Sequence, residues 1–272
     1  MGIADRVERN IELLKSCGLS SLRRFTRRGS PITPVTLKNV GSVHLRLGDS
    51  DLATFTQVFE RREYDLAATG GAQQAIMARY RAIIERGRVP VIIDAGANVG
   101  AATLWFVRSF PEAHVVAIEP DPNNAEVLRL NVGGLTRVTV LEAAIAGTSG
   151  RVSLAGSGLS WGIQTVRSAA ATLAAITMDQ ALATVPAGEL FLAKIDIEGF
   201  ESDLFGGDLA WMDSAAVLII EPHDWLFPGR GTSRTLQAAM GERNFEMFIS
   251  AENLIYVAAD VLKSSGSPDA SN

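Results

Sequence analysis

From Pro90 onward the apolar side chains fall in short unbroken runs, at residues 91–93, 115–118, 138–141, 190–195 and 216–220. A strand that is apolar at every position, not at every second one, is buried on both faces, which is the texture of a parallel sheet with helices packed above and below it. Helical patterns follow Gly100, Asp121, Gly199 and Thr232, and another surrounds Asp179. Residues 245–249 and 254–257, separated by the polar stretch 250–253, predict a closing antiparallel pair.

Before Pro90 the pattern changes. Val35 and Leu37, then Val43, Leu45 and Leu47 in alternation with His44 and Arg46, predict a hairpin. Ser50, a residue type that caps free helical amides, precedes a helix with Leu52, Phe55 and Phe59 on one face, and a second helix runs through Ile76, Tyr80 and Ile83 to Gly87. Ile3, Val7, Ile11 and Leu14 recur at helical spacing ahead of Arg23, Arg24, Arg27 and Arg28, so the first thirty residues predict a basic amphipathic helix.

The chain has 272 residues, of which 47% are hydrophobic and 20% charged, enough apolar material for one sizeable core and too much for a disordered protein. The economical organisation is a basic helix over 1–30, an α+β extension over 31–88, one α/β domain over 89–261, and a Ser/Pro/Gly-rich disordered tail over 262–272. A single cysteine, Cys17, forms no internal disulfide, and no apolar run reaches membrane-spanning length or resembles an export signal, so the expected address is the cytoplasm without stable membrane insertion. A net charge of −5 argues against nucleic acid as a partner.

The chemistry gathers at the carboxyl ends of the core strands, where ligands bind in open α/β sheets. The first strand runs into Asp94-Ala95-Gly96-Ala97-Asn98-Val99-Gly100, a turn that is either an ordinary tight connection or a place for close approach of a ligand. A dinucleotide fingerprint would have glycines where Asn98 and Ala101 stand. The second strand ends at Glu119, whose carboxylate can accept from both ribose hydroxyls of an adenosine-containing cofactor. After the third strand, Glu142 with Ala143 and Ala144 offers one polar group and two small side chains to a flat adenine. The fourth strand ends in Lys194-Ile195-Asp196-Ile197-Glu198-Gly199-Phe200-Glu201, whose carboxylates are solvated, paired, or used on a cationic ligand such as a sulfonium. The fifth ends in Glu221-Pro222-His223-Asp224-Trp225, and His223 is the histidine that reaches this edge, since His44 lies in the hairpin and His114 at the start of a strand.

These segments resemble the FkbM family of S-adenosylmethionine-dependent methyltransferases. The likeness rests on VIIDAGANVG (91–100), IEPDP (118–122), KIDIEGFE (194–201) with Leu204 to Gly207, IEPHDW (220–225) followed by Gly231 to Arg234, and upstream on Gly48 to Asp51 and QVFERREYD (57–65), covering roughly residues 33–260. It implies a Rossmann-like class I methyltransferase fold, mostly parallel with the antiparallel pair and the N-terminal α+β extension. It also implies an enzyme that moves a methyl group from S-adenosylmethionine to a hydroxyl of a small metabolite, sugar or glycan. Under it Asp94, Gly96, Asn98 and Gly100 line the methionine part, Glu119 the ribose, and Asp196 the region near the sulfonium. From the residues themselves, His223 is the best proton acceptor, with Glu221 and Asp224 in its own segment to fix its tautomer, and Asp196 is the other catalytic candidate, a base in its place as Glu221 could be.

Two other classes stay open: a catalytically silent S-adenosylmethionine-binding partner subunit, and a nicotinamide dehydrogenase, which would want the missing glycines and a Tyr-x-x-x-Lys pair. Asp196, Glu198, Glu221, His223 and Asp224 could ligate a divalent ion, but strand-end carboxylates are more often solvated or paired, so the expectation is a metal-free site that survives chelation. The acceptor is chosen by the N-terminal elements and the loop 224–234, where Trp225 and Phe227 either stack on a sugar or anchor the loop; the sequence sets no oligomeric state.

Overall fold

The computed structural model describes residues 32–46, 49–155, 164–167 and 171–264. The expected basic helix over 1–30 and the tail beyond 264 lie outside the described residues. The chain enters through the hairpin β1 (Ile32–Leu37) and β2 (Gly41–Arg46), then α1 (Asp51–Phe59) and α2 (Ala72–Glu85). Ser50 starts α1 without a side-chain cap; its carbonyl accepts from Thr54, and it is Asp51 that accepts from the Arg46 backbone at 2.7 Å.

The alternating core follows as β3 (Val89–Ala95), α3 (Ala101–Ser109), β4 (His114–Ile118), α4 (Pro122–Val132) and β5 (Val138–Leu141), and resumes with α5 (Met178–Leu182), β10 (Gly188–Ile195), the single turn α6 (Glu201–Leu204), β11 (Val217–Ile220), α7 (Arg234–Gly241), β12 (Phe245–Ser250), β13 (Asn253–Ala258) and α8 (Ala259–Ser264). The expected domain end at residue 261 therefore falls inside α8, whose Val261 is buried. Between β5 and α5 the chain builds a small sheet that its short, Ala- and Gly-rich strands do not announce: β6 (Ala144–Ile145), β7 (Gly150–Ala155), β8 (Gln164–Val166) and β9 (Leu173–Ile176), in the order β6-β9-β7-β8.

Among the described residues the main sheet has seven strands, in the order β12-β13-β11-β10-β3-β4-β5. Neighbours from β11 through β10, β3 and β4 to β5 pair in parallel, and β13 runs antiparallel to both β11 and β12. That order and direction are those of the Rossmann-like class I methyltransferase fold. The strand order reverses between β3 and β10, so their carboxyl ends open a crevice at the topological switch point.

Alternate side chains of the sheet feed two cores. Ile92, Val115, Ala117, Leu192 and Ile219 pack on one face with α1, α2, α3 and α4, while Val91, Ile93, Val116, Ala193 and Leu218 pack on the other with α5, α6 and α7. The period slips once, where the register shifts between Leu190 and Leu192 and sends the neighbours Phe191 and Leu192 to the same core. Phe191 there meets Tyr80 and Phe110, each with ring centroids 5.2 Å away. The edge strand β5 is only half-buried, unlike the full burial its apolar run suggests.

Candidate functional site

The turn after β3 reaches the tip of β10 because position 96 has no side chain. Gly96 sits at φ +78°, and a Cβ there would lie 1.8 Å from the Asp196 carbonyl oxygen. Below the turn Lys194 is buried at the sheet centre, donating from Nζ to the carbonyls of Gly96 at 2.7 Å and Ala95 at 3.3 Å, and pairing with Asp94 at 3.4 Å and Asp196 Oδ2 at 3.3 Å. The Tyr64 ring, from the segment joining α1 to α2, covers the ammonium at 5.9 Å from its centroid. Burial works against the charge of Lys194, but Asp196, Tyr64 and Asp94 outweigh it and push its pKa well above the usual value.

A cavity opens beside this turn, at the carboxyl ends of β3 and β10. Gly96, Asn98, Glu119, Asp121, Asn124, Ala144 and Asp196 are among its walls. Glu119, buried, accepts at Oε2 from the Asn98 amide at 2.8 Å, and at Oε1 from the Asp121 amide at 2.9 Å and the Asn124 side chain at 3.4 Å. Burial raises its pKa to about 7 against the pull of those donors. Asn98 holds φ +49°, uncommon for a residue with a side chain, and its Oδ1, like that of Asn124, is buried without a hydrogen-bond partner among the described residues. Such acceptors fit the hydroxyl and amino donors of an adenosine.

A second, more acidic cavity adjoins the first and shares Asn98, Asp196 and Glu198 with it. Its other walls include Thr54, Gln57, Glu63 and Tyr64 from the N-terminal extension and Glu221, His223, Trp225 and Glu252 from the far side of the sheet. His223 is buried at 2% exposure, with Nδ1 bonded at 2.8 Å to Glu201 Oε1, itself 1% exposed. Its Nε2 faces oxygens of Asp196 at 3.6 Å, Glu198 at 3.6 Å and Glu221 at 3.7 Å. Burial alone would lower the imidazole pKa, yet the bond and charge of Glu201, with Asp196 and Glu198, raise it to about 9. Burial and the Asp196 charge raise Glu198 to about 7 and Glu221 to about 8.

The structure thus gathers Gly96, Asn98, Glu119 and Asp196 at the first cavity and His223 and Asp196 at the second. Three residues expected to hold cofactor lie outside those walls. Asp94, fully buried, accepts from Thr103 Oγ1 at 2.6 Å and pairs with Lys194. Gly100, at φ +90°, begins α3 against Leu128, and Glu142 pairs with Arg129 at 2.8 Å. Asp224 turns from His223 to close its own loop, accepting from Thr232 Oγ1 at 3.0 Å and from the Ser233 hydroxyl. Phe227 is the anchor of that loop, filling the space above Gly199, and Trp225 is 63% exposed. Lys194, Glu201 and Tyr64 had no role assigned from sequence. A lone cation inside an apolar strand run marks Lys194; Glu201 and Tyr64 stand inside the family-like segments 194–201 and 57–65, but what they touch depends on how the chain packs.

A 2-O-methyltransferase, NoeI of Sinorhizobium fredii, is 40% identical over 63 residues, 23% of this chain and 26% of that protein. The methyltransferase sdnD of Sordaria araneosa is 35% identical over 68 residues, 24% of this chain and 26% of that one. The matches thus span about a quarter of these relatives. Among solved structures, a methyltransferase from Geobacter sulfurreducens aligns over 78% of this chain and 92% of its own at 17% identity and a TM-score of 0.37. A precorrin-6y C5,15-methyltransferase from Geobacter metallireducens aligns over 62% and 79% at 13% identity and a TM-score of 0.36. The profile of the methyltransferase FkbM domain matches residues 94–246, from the buried aspartate of β3 into β12, which takes in the walls of the first cavity and Asp196, Glu221 and His223 of the second, and the chain belongs to that family.

Proposed function

We propose that this chain transfers a methyl group from S-adenosylmethionine to a hydroxyl of a small metabolite, a sugar or a glycan. The observation that carries this reading is the meeting of the two cavities at Asn98, Asp196 and Glu198. On one side Glu119 suits ribose hydroxyls, and the unfilled acceptors on Asn98 and Asn124 suit the donors of an adenosine. On the other side is a polar pocket sized for a separate acceptor. Membership of the family supports a methyl donor, and NoeI, a 2-O-methyltransferase, supports oxygen as the acceptor atom. The net charge of −5 and the lone Cys17 fit a cytoplasmic enzyme of small molecules or glycans, not one of nucleic acid.

When bound, the cofactor supplies a methyl group already activated by its sulfonium. The chain has to align a hydroxyl oxygen with that methyl and take up the hydroxyl proton. Asp196 stands at the boundary with Oδ2 held by Lys194 and Oδ1 turned to His223, and both side chains line the second cavity. The proton acceptor we assign is Glu198. It lines both cavities and makes no hydrogen bond among the described residues, whereas His223, the sequence choice, has Nδ1 committed to Glu201 and Nε2 ringed by carboxylates. Held at the first cavity, the cofactor would supply the methyl and keep the electron pair of its carbon–sulfur bond on sulfur, while Glu198 would take up the proton of the hydroxyl whose oxygen gains that methyl.

Methyl-tritiated S-adenosylmethionine and a library of hydroxylated acceptors test the reading on the full chain. Label in an alkali-stable ether is the expected product, and Glu198→Gln should slow its formation by roughly 10²- to 10⁴-fold with S-adenosylhomocysteine affinity unchanged. Label on nitrogen, or tight S-adenosylhomocysteine binding with no transfer to any acceptor, would overturn it, the second outcome in favour of a silent partner subunit.

A further inference from the structure

The geometry points to a divalent transition-metal ion held at the acceptor pocket by His223 Nε2, Asp196 and Glu221. One ligand atom from each of these residues lies within 4.8 Å of the other two, close enough to share one ion. Carboxylates alone would not make a site. The imidazole is the independent feature: it is 98% buried by virtue of its 2% exposure, and its Nε2 makes no hydrogen bond among the described residues while it is aimed into the cluster.

The tautomer follows from the far side of the ring. Glu201, buried in α6, takes the Nδ1 hydrogen at 2.8 Å and also accepts from the Gly199 amide at 3.3 Å, so a cation arriving at the cluster displaces the Nε2 hydrogen to solvent and takes that nitrogen's lone pair. A carboxylate that fixes a histidine this way is the usual second partner of a metal-ligating imidazole. Opposite the lone pair stand oxygens of Asp196, Glu198 and Glu221 at 3.6, 3.6 and 3.7 Å, each beyond hydrogen-bond length. Asp196 turns Oδ1 to this point because Lys194 holds Oδ2. These separations leave room for a cation in place of the Nε2 hydrogen, with ligand bonds of about 2.0 to 2.2 Å.

The ligand set selects the ion. Imidazole with carboxylates suits Mn²⁺, Fe²⁺ or Zn²⁺ better than Mg²⁺ or Ca²⁺, which prefer oxygen ligands. Its remaining positions would face the cavity bounded by Thr54, Gln57 and Trp225. The site stands on its own; its role rests on the methyl-transfer reading. There the ion would draw the acceptor hydroxyl to the boundary with the cofactor cavity and ease its proton toward Glu198, favouring acceptors with a second oxygen beside the reacting one. The sequence offered Asp196, Glu221 and His223 among possible ligands but favoured a metal-free site; the pairing of β10 with β11 puts their ligand atoms within reach of one ion.

The test is titration of the chelator-stripped full chain with Mn²⁺, read by loss of the free-ion paramagnetic signal and by calorimetry. One ion per chain is expected. His223→Ala and the near-isosteric Glu221→Gln should each weaken binding at least about 100-fold, and Glu201→Gln about 10- to 100-fold, with thermal melts confirming the fold. Glu119→Gln, in the other cavity, should leave Mn²⁺ affinity within about twofold of the parent. Failure of folded protein to bind Mn²⁺ or Zn²⁺, or undiminished binding by both His223→Ala and Glu221→Gln, overturns the site. Loss in Glu63→Gln with Glu252→Gln but not in His223→Ala would move the ion to the neighbouring carboxylates and equally overturn it. S-adenosylhomocysteine calorimetry on the same samples reports on the cofactor reading separately, since metal can bind where that ligand fails and the reverse.

Discussion

Glu119 is set to work as an acceptor at the upper end of its own titration. Burial lifts its pKa from 4.5 to about 7; the Asp121 and Asn98 amides and the Asn124 side chain pull it down, and the Asp121 charge beside it pushes it up. Only the ionised form offers charge-assisted acceptance to both ribose hydroxyls. Cofactor affinity should therefore rise with pH through about 7, because the competent fraction grows from roughly a tenth at pH 6 to nearly all at pH 8. Calorimetry with S-adenosylhomocysteine should give about a tenfold tighter Kd at pH 8 than at pH 6, and Glu119→Gln should be weaker at pH 8 and flat across the range. A wild-type Kd that does not move would remove Glu119 from ribose binding. This residue was legible because a carboxylate at a strand tip about twenty residues beyond a glycine turn has a defined place in the fold. Asp94 shows the opposite: it belongs to the same motif, but β10 brings Lys194 up behind it, and its charge is consumed inside the sheet.

The elements were legible where burial on both faces wrote itself as continuous apolar runs, as in β3, β4 and β10. The sheet of β6 to β9 was not, because β6 has two residues, β8 three, and neither length nor composition separates such segments from loop. The connection after β11 needed three dimensions as well. Phe227 seats its ring where a Cβ on Gly199 would come within 2.4 Å, so the loop carrying His223 and Trp225 is pinned to the strained tip of β10, where Glu198 holds φ +52°. Arg230 lies over the outer face of that ring at 5.7 Å. Removing the ring should loosen the loop without reaching the cofactor cavity, whose walls do not include it. Phe227→Ala is expected to raise acceptor KM at least about fivefold while S-adenosylhomocysteine affinity stays within about twofold, by steady-state kinetics beside calorimetry. Equal losses in both would mean that the loop supports the whole site.

At the scale of the molecule, the N-terminal extension is one wall of the acceptor pocket. Its hydrophobic side chains, among them Val43, Phe55, Ile76 and Ile83, share one core with α3, α4 and the sheet, and the Trp105 indole donates to the Tyr64 carbonyl at 3.2 Å. Thr54, Gln57, Glu63 and Tyr64 then face Asp196, Glu198 and His223 across the cavity. The cofactor cavity draws no described residue from before Gly96. On the proposed function, the extension would add to acceptor choice without contributing to the cofactor cavity, the two cavities sharing only Asn98, Asp196 and Glu198. Sequence reading separated the extension from the domain because its texture changes at Pro90, but texture records how an element is buried and not what it faces. The division makes a sharp expectation for Ala53, exposed on α1 at the pocket wall, where a large side chain can enter the cavity without entering the core. Ala53→Trp should raise acceptor KM by about tenfold or more, leave the thermal midpoint unchanged, and leave S-adenosylhomocysteine affinity within about twofold. If cofactor affinity falls in step with acceptor affinity, the two cavities are one site, and the extension closes over both.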